Sequence, residues 1–232
     1  MKKSRSDTIP HSARRHLRLG NDTYDVAIRR FIPGYDAMLA TAADAVAAVA
    51  PELVVDLGAG TGALSEALLQ RPEINTVELL DVDPEMMEQS RHRLRHFADR
   101  VRFTLRSYYE PFSTSDAFAA SLSLHHISTI EAKSVLFGRV FAALRPGGVL
   151  VNADLNMPID RLERQHLYRY WADHLVVSGI TEDRAWQYFE EWSEEDTYLS
   201  MEVELAELTR IGFEAEFIWH DGPVGVMVAK KT

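Results

Sequence analysis

The chain has 232 residues, 25 of them Lys or Arg and 35 Asp or Glu, giving a net charge of −10 with 46% apolar residues and no cysteine. A chain of this length can bury a stable core without staples, and the absent thiols exclude both a disulfide frame and thiolate chemistry. The acidic balance argues against a broad nucleic-acid surface, and the polar start, with no run near about 18 consecutive apolar residues, argues against secretion or membrane insertion, so a cytoplasmic location is expected.

The first twenty residues set Lys2, Lys3, Arg5, Arg14, Arg15 and Arg18 against Asp7 alone. This basic arm, residues 1–20, reads as a solvated, mobile tail that at most touches phosphate. From there β-branched runs alternate with helical patterns, the order expected of βαβ units around a parallel sheet, and residues 21–232 are read as one domain. The stretch Asp36–Ala50 carries Met38, Leu39, Ala42, Val46 and Val49 at helical spacing and is closed by Pro51. Leu53–Val55 is a short buried strand, Thr61–Gln70 a helix and Val77–Leu80 a second strand. Asp83-Pro84 opens the next helix, because Asp caps free amides and Pro is pre-set for the first helical position.

Strands three and four are expected at Val101–Leu105 and Ala117–Leu122. A helix from about Thr129 to Leu144 is stopped by Pro146-Gly147-Gly148, after which Val149–Val151 begins strand five. The alternation then breaks. Residues 159–198 are helical in character and hold three of the four Trp, as an inserted helical cap would. A helix around Leu205, Leu208 and Ile211 follows, then strands Phe213–Trp219 and Val224–Ala229, whose short Asp221-Gly222-Pro223 turn requires antiparallel pairing.

The strongest chemical signal is Val54-Val55-Asp56-Leu57-Gly58-Ala59-Gly60-Thr61-Gly62, a strand entering a glycine-rich turn that opens a helix. Glycines let the backbone turn sharply and let a ligand approach where a Cβ would obstruct it. About twenty residues on, Asp81 ends the next strand, placed to accept hydrogen bonds from both hydroxyls of a ribose. Gly58-x-Gly60-x-x-Ala63 also satisfies a dinucleotide fingerprint, but the carboxylate of Asp56 would repel a pyrophosphate and suits a cationic amino group. S-adenosylmethionine carries such a cation, and nicotinamide cofactors do not.

In these motifs, together with Leu80-Asp81-Val82-Asp83-Pro84, Leu122-Ser123-Leu124-His125-His126 and Leu144-Arg-Pro-Gly-Gly148, the sequence resembles the class I S-adenosylmethionine-dependent methyltransferases from Tyr24 to Lys230. The resemblance implies a Rossmann-like α/β fold: a seven-stranded, mostly parallel sheet with an antiparallel last strand and helices on both faces. It implies S-adenosyl-L-methionine as cofactor, leaving S-adenosyl-L-homocysteine, with the methionine end at Asp56, Gly58, Ala59, Gly60 and Gly62, the ribose at Asp81 and Val82, and Ser123 nearby. Most members read adenine with an Asp after strand three, where this chain has Arg106-Ser107-Tyr108. Ser107 and Tyr108 are the replacements. The leading segment, Tyr24-Asp25 and Arg30-Phe-Ile-Pro-Gly34-Tyr35, is similar to that of carboxy-S-adenosylmethionine synthases, which act in tRNA wobble-uridine modification. That similarity implies Arg30 on the cofactor carboxylate and Tyr24 or Tyr35 closing the site.

His125 and His126 lie just beyond strand four, at the sheet edge where ligands of open α/β folds collect, and one neutral imidazole there could serve as general base. Nothing in the sequence separates the two, and helix capping or cavity lining is the competing role. No metal is expected, because no His-Glu-x-x-His-type spacing is present. The cap aromatics Tyr168, Tyr170, Trp171, Trp186, Tyr188 and Trp192, with His174, read first as core. The acidic run Glu190-Glu191 and Glu194-Glu195-Asp196 reads as a solvated helix face, and Asn152, Asp154 and Asn156 as groups that could orient an acceptor or shape a turn.

The function expected is methyl transfer to an O, N or C atom of a small-molecule acceptor, without a nucleic-acid or membrane partner; a homodimer is compatible with the pattern. A carboxy-S-adenosylmethionine synthase-like or tRNA-modification enzyme is the second reading, and a non-catalytic cofactor-binding module the third.

Overall fold

The computed structural model describes residues 24–232, so the basic arm lies outside the described residues. One sheet runs in the order β3-β2-β1-β4-β5-β7-β6. Its strands are β1 (Leu53–Leu57), β2 (Thr76–Asp81), β3 (Val101–Leu105), β4 (Ser115–Ser121), β5 (Leu144–Leu155), β6 (Glu214–Asp221) and β7 (Val224–Lys230). Pairing from β3 through β5 is parallel, and β7 runs antiparallel to both of its neighbours. The helices are α1 (Tyr24–Phe31), α2 (Tyr35–Ala47), α3 (Ala63–Leu69), α4 (Pro84–Arg93), α5 (Ile130–Ala143), α6 (Arg161–Val177), α7 (Glu182–Trp192) and α8 (Met201–Ile211). This is the expected class I methyltransferase architecture.

The two faces of the sheet are separated by strand alternation. Val54 of β1 belongs to one core that also holds Met38, Ala42 and Val46 of α2, Leu64 and Leu68 of α3, and Trp171, Phe189 and Trp192 of α6 and α7. Its neighbours Val55 and Leu57 point the other way, into a second core with Leu136, Phe137 and Val140 of α5 and Leu208 of α8. Helices cover both faces, so the central strands read as continuous apolar runs.

The chain order reverses between β1 and β4. Their carboxyl ends, and the loops that leave them, therefore diverge and open a crevice, which is where open α/β sheets bind ligands.

Two elements depart from the expected pattern. Tyr24–Phe31, read as a leading segment, is helix α1. The Pro146-Gly147-Gly148 stop lies within β5, which begins at Leu144 directly after α5 and shifts register between Ser115 and Ala117 of β4. A Cβ on Gly148 would lie 2.5 Å from the Asp116 carbonyl oxygen, so this glycine permits close strand approach rather than only ending a helix.

The aromatics of α6 and α7 are largely core, as expected. Trp171 is fully buried, and its indole Nε1 donates to the Phe31 carbonyl at 2.6 Å, joining α6 to α1. Tyr170 is the exception; it is half exposed and donates its hydroxyl to Asp221.

Candidate active site

The loop after β1 threads three left-handed glycines, Gly58 (φ 68°), Gly60 (φ 54°) and Gly62 (φ 81°). A Cβ on Gly58 would meet Ser123 Cβ at 2.8 Å, whereas one on Gly60 would face open space. Asp81, at the end of β2, accepts from the Gly60 amide at 2.7 Å through one oxygen and from the Asp83 amide at 2.8 Å through the other. A carboxylate offers about four acceptor sites, so capacity for a ligand hydroxyl remains beside these bonds. Asp83 in turn caps α4 by accepting from the Glu85 amide.

These elements enclose a cavity of about 480 Å³. Its wall includes Asp56, Gly58, Ala59 and Gly60 from the first loop, Asp81 and Val82 from the second, Ser107 and Tyr108 after β3, and Ser123 and His126 after β4. Tyr24 and Tyr35 close it from the α1–α2 side. Asp56 is 1% exposed and accepts from Ser65 Oγ at 2.6 Å. Burial raises its pKa to about 7 despite that hydrogen bond, and the nearby Asp81 adds to the rise. Burial likewise raises Asp81. Burial, and the carboxylates of Asp25, Asp81 and Asp196, hold the Tyr24 phenol protonated.

Helix α1 is fastened to the glycine loop. Asp25 accepts from Thr61 Oγ1 at 2.8 Å and pairs with Arg93, which also holds the Thr61 carbonyl and Glu66, each at 2.9 Å.

Beside the cofactor-type cavity lies a buried polar cluster. His125 Nδ1 lies 2.5 Å from Asp154 Oδ1, and its Nε2 is 3.7 Å from Asp196 Oδ1. His126 Nδ1 lies 2.9 Å from the same Asp196 oxygen, and Tyr198 donates to the other at 2.8 Å. Burial alone would lower the His125 pKa, but the Asp154 and Asp196 carboxylates raise it above the usual imidazole value. A second, smaller cavity of about 40 Å³ adjoins here, sharing Tyr24, Leu122 and His126 with the first.

Residues 55–150 match the sequence profile of a family described as a methyltransferase domain. Over 212 residues the chain is 26% identical to an uncharacterized methyltransferase of Geobacillus kaustophilus, covering 90% of this chain and 88% of that one. The matched profile, the relatives and the fold together support a class I S-adenosylmethionine-dependent methyltransferase.

Carboxy-S-adenosyl-L-methionine synthase of Chromohalobacter salexigens is a weaker match for this methyltransferase, 28% identical over 67% of this chain and 60% of that one. The fold agrees with an O-methyltransferase family protein from Burkholderia thailandensis at a TM-score of 0.67 and 14% identity, over 96% of this chain and 61% of that one. The methyltransferase thus spans about three fifths of each of these two proteins.

The cavity suits the family's cofactor. It carries three carboxylates, Asp56, Asp81 and Asp83, against one guanidinium among the described lining, Arg106, and it is open where Gly60 lacks a Cβ. Such a space matches a ligand that brings positive charge and hydroxyl donors, and opposes a pyrophosphate.

Three expected contacts are not found in the methyltransferase. Arg30 does not reach the cavity; its Nε and Nη2 donate to the Ser178 carbonyl at 3.0 and 2.8 Å, fastening α1 to the end of α6. Gly62 is needed for packing, since a Cβ there would meet Ser90 Cβ at 3.0 Å. His125 lines the small cavity and not the large one. Asp196, grouped by sequence with a solvated face, turns inward with its side chain 5% exposed, because the His126 ring and the Tyr198 hydroxyl satisfy it there. Asp154 likewise orients His125, and neither Asn152 nor Asn156 lines either cavity. His125, His126 and Asp196 also bring three ligand-type atoms within 4.8 Å of one another, which sequence spacing does not reveal.

Removing the Asp81 charge tests the ribose assignment in this methyltransferase. Asp81→Asn is expected to weaken S-adenosylmethionine binding by about 1–3 kcal/mol, because charge-assisted hydrogen bonds are lost while a similar shape remains. Isothermal calorimetry reads the change, and an unaltered affinity would take Asp81 out of the binding role.

Proposed function

We propose that the methyltransferase delivers the methyl group to a nucleophilic atom of a small molecule bound between α1, the end of β4 and the α6–α7 helices, with His126 as general base. Bound in the large cavity, the cofactor supplies a methyl group activated by sulfonium, whose departure leaves an uncharged thioether. The observation carrying the proposal is that His126 lies on the wall common to both cavities while its Nδ1 faces Asp196 at 2.9 Å. A carboxylate there accepts a hydrogen bond from Nδ1–H, and that tautomer leaves the basic lone pair on Nε2.

The remaining groups position and shield. The glycine loop and Asp56 face the methionine end, Asp81 accepts the ribose hydroxyls, and Ser107 and Tyr108 lie where the base would rest. Tyr24 and Tyr35 exclude water from the reacting atoms, so alignment rather than strong acid–base chemistry supplies most of the rate. A binding module without turnover would need no such His–Asp pair, and an acidic chain offers a poor track for RNA.

Asp56 gives the proposal a pH signature. A cationic ligand favours the ionised carboxylate, yet in the ligand-free protein Asp56 holds its proton up to about pH 7. Cofactor affinity should therefore fall as pH drops from 8 to 6, by up to about tenfold per pH unit, with proton release on binding. Stability without ligand carries the opposite sign. The Asp56 pKa is raised from 3.8 to about 7, so its contribution is fully present below pH 3.8 and is lost as pH rises toward 7. Calorimetry in buffers of different ionisation enthalpy measures the released proton. An affinity flat across pH 6–8 would place the ligand's positive charge away from Asp56.

A further inference from the structure

Arg93 ends α4 and lines neither cavity, yet its guanidinium joins three of the elements that frame the cofactor space. Its Nε donates to the Thr61 carbonyl and its Nη1 to Glu66 of α3, each at 2.9 Å, while its Nη2 donates to Asp25 of α1. Asp25 also accepts from the Thr61 hydroxyl at 2.8 Å. Arg93, Thr61 and Asp25 therefore close a ring of hydrogen bonds. The Arg93 side chain is 17% exposed, so these charge-assisted bonds form largely out of water.

Thr61 stands between two left-handed glycines, Gly60 and Gly62. Glycine gives a chain more conformations to choose from, so a loop built on it holds one shape for a ligand only if outside contacts fix it. Helix α4 supplies such contacts from both of its ends. At its start, Asp81 accepts from the Gly60 and Asp83 amides together. At its end, Ser90 lies so close to Gly62 that a Cβ there would meet it at 3.0 Å, and one turn later Arg93 takes the Thr61 carbonyl. The remaining arm of the same guanidinium crosses to α1, where Asp25 follows Tyr24, a wall residue of both cavities.

We infer that Arg93 is a positioning residue for the cofactor: it holds the Thr61 peptide and α1 in the single arrangement that leaves the glycine loop open to S-adenosylmethionine with Tyr24 beside it. The inference rests on the methyltransferase reading above and adds to it a residue that touches no ligand. Lysine cannot take its place. One ammonium lacks the planar fork that meets a carbonyl and two carboxylates lying in different directions.

The test measures S-adenosylhomocysteine binding to the full chain by calorimetry, with thermal melting of each variant alongside. Arg93→Met should raise Kd about tenfold or more, and Arg93→Lys should restore little of the loss. Asp25 and Glu66 are partly exposed, so water can solvate them once the guanidinium is gone and the fold is expected to survive. Asp25→Asn alone should raise Kd about threefold or more. The double variant Arg93→Met, Asp25→Asn should bind no worse than Arg93→Met, because one ring is broken only once. A purely structural role would lower the melting temperature and leave Kd of the folded protein within about threefold of wild type. That result, full recovery of affinity by Arg93→Lys, or losses that multiply in the double variant would each overturn the inference. If the Arg93 variants do not fold, Asp25→Asn decides alone, and an unchanged Kd there overturns it. Failure of the wild-type chain to bind S-adenosylhomocysteine would instead sink the methyltransferase reading, so the two failures are distinguishable.

Discussion

Replacing Lys133 with methionine should destabilise the protein by about 3–5 kcal/mol, because it leaves the Glu204 carboxylate buried without its partner. Lys133 on α5 and Glu204 on α8 are both fully buried, their Nζ and Oε1 atoms 2.5 Å apart. The second Glu204 oxygen is buried with no hydrogen-bond partner among the described residues, and burial raises the acid's pKa in spite of the lysine. Two solvated charges have been moved into a core, and their attraction offsets much of that cost only while both are present. The double variant Lys133→Met, Glu204→Leu should accordingly recover most or all of the stability. Urea unfolding measures both, with an unchanged slope showing that compactness is the same. A single-variant loss below about 1 kcal/mol would mean that Glu204 simply takes up a proton in the variant and that the pair contributes little.

The second large effect is on turnover. His126→Ala should lower kcat by about 10²–10⁴-fold at unchanged cofactor affinity, the range for a removed general base. His126 is preferred over His125 on geometric and electrostatic grounds. His125 lies between Asp154 and Asp196, which hold its proton more tightly than usual, and it does not reach the large cavity. Single-turnover measurement separates chemistry from product release. A kcat within about threefold of wild type would leave His126 as a wall residue and alignment as the whole of catalysis.

The cofactor half of the site was legible in the sequence because it is built from short-range features. A strand, three glycines at alternate positions and an acid closing the next strand are local patterns, and the sheet order brings them together without further information. The hairpin of β6 and β7 was legible for the same reason: its turn is too short for anything but antiparallel pairing.

The polar cluster beside the large cavity was not legible, because its pairs are distant along the chain. Asp196 meets His126 from 70 residues away, and Arg30 meets Ser178 from 148 residues away. A run of acids on a helix end looks the same whether its last member faces water or an imidazole. The leading segment misled for a related reason, since an arginine near a cofactor motif is equally available to a ligand carboxylate or to an exposed helix-end carbonyl. Here the free carbonyl at the end of α6 was the acceptor within reach.

One helix carries a wall of each ligand space. Tyr24 lines both cavities, Ile28 and Phe31 line the smaller one, and the same helix is clasped by Asp25 to the glycine loop and by Arg30 to the far side of the aromatic core. The two compartments therefore share a single door. An outward displacement of α1 would open both to water at once. Both clasps are polar and partly wetted, so dissolved ions should ease the door more than they disturb the chemistry behind it.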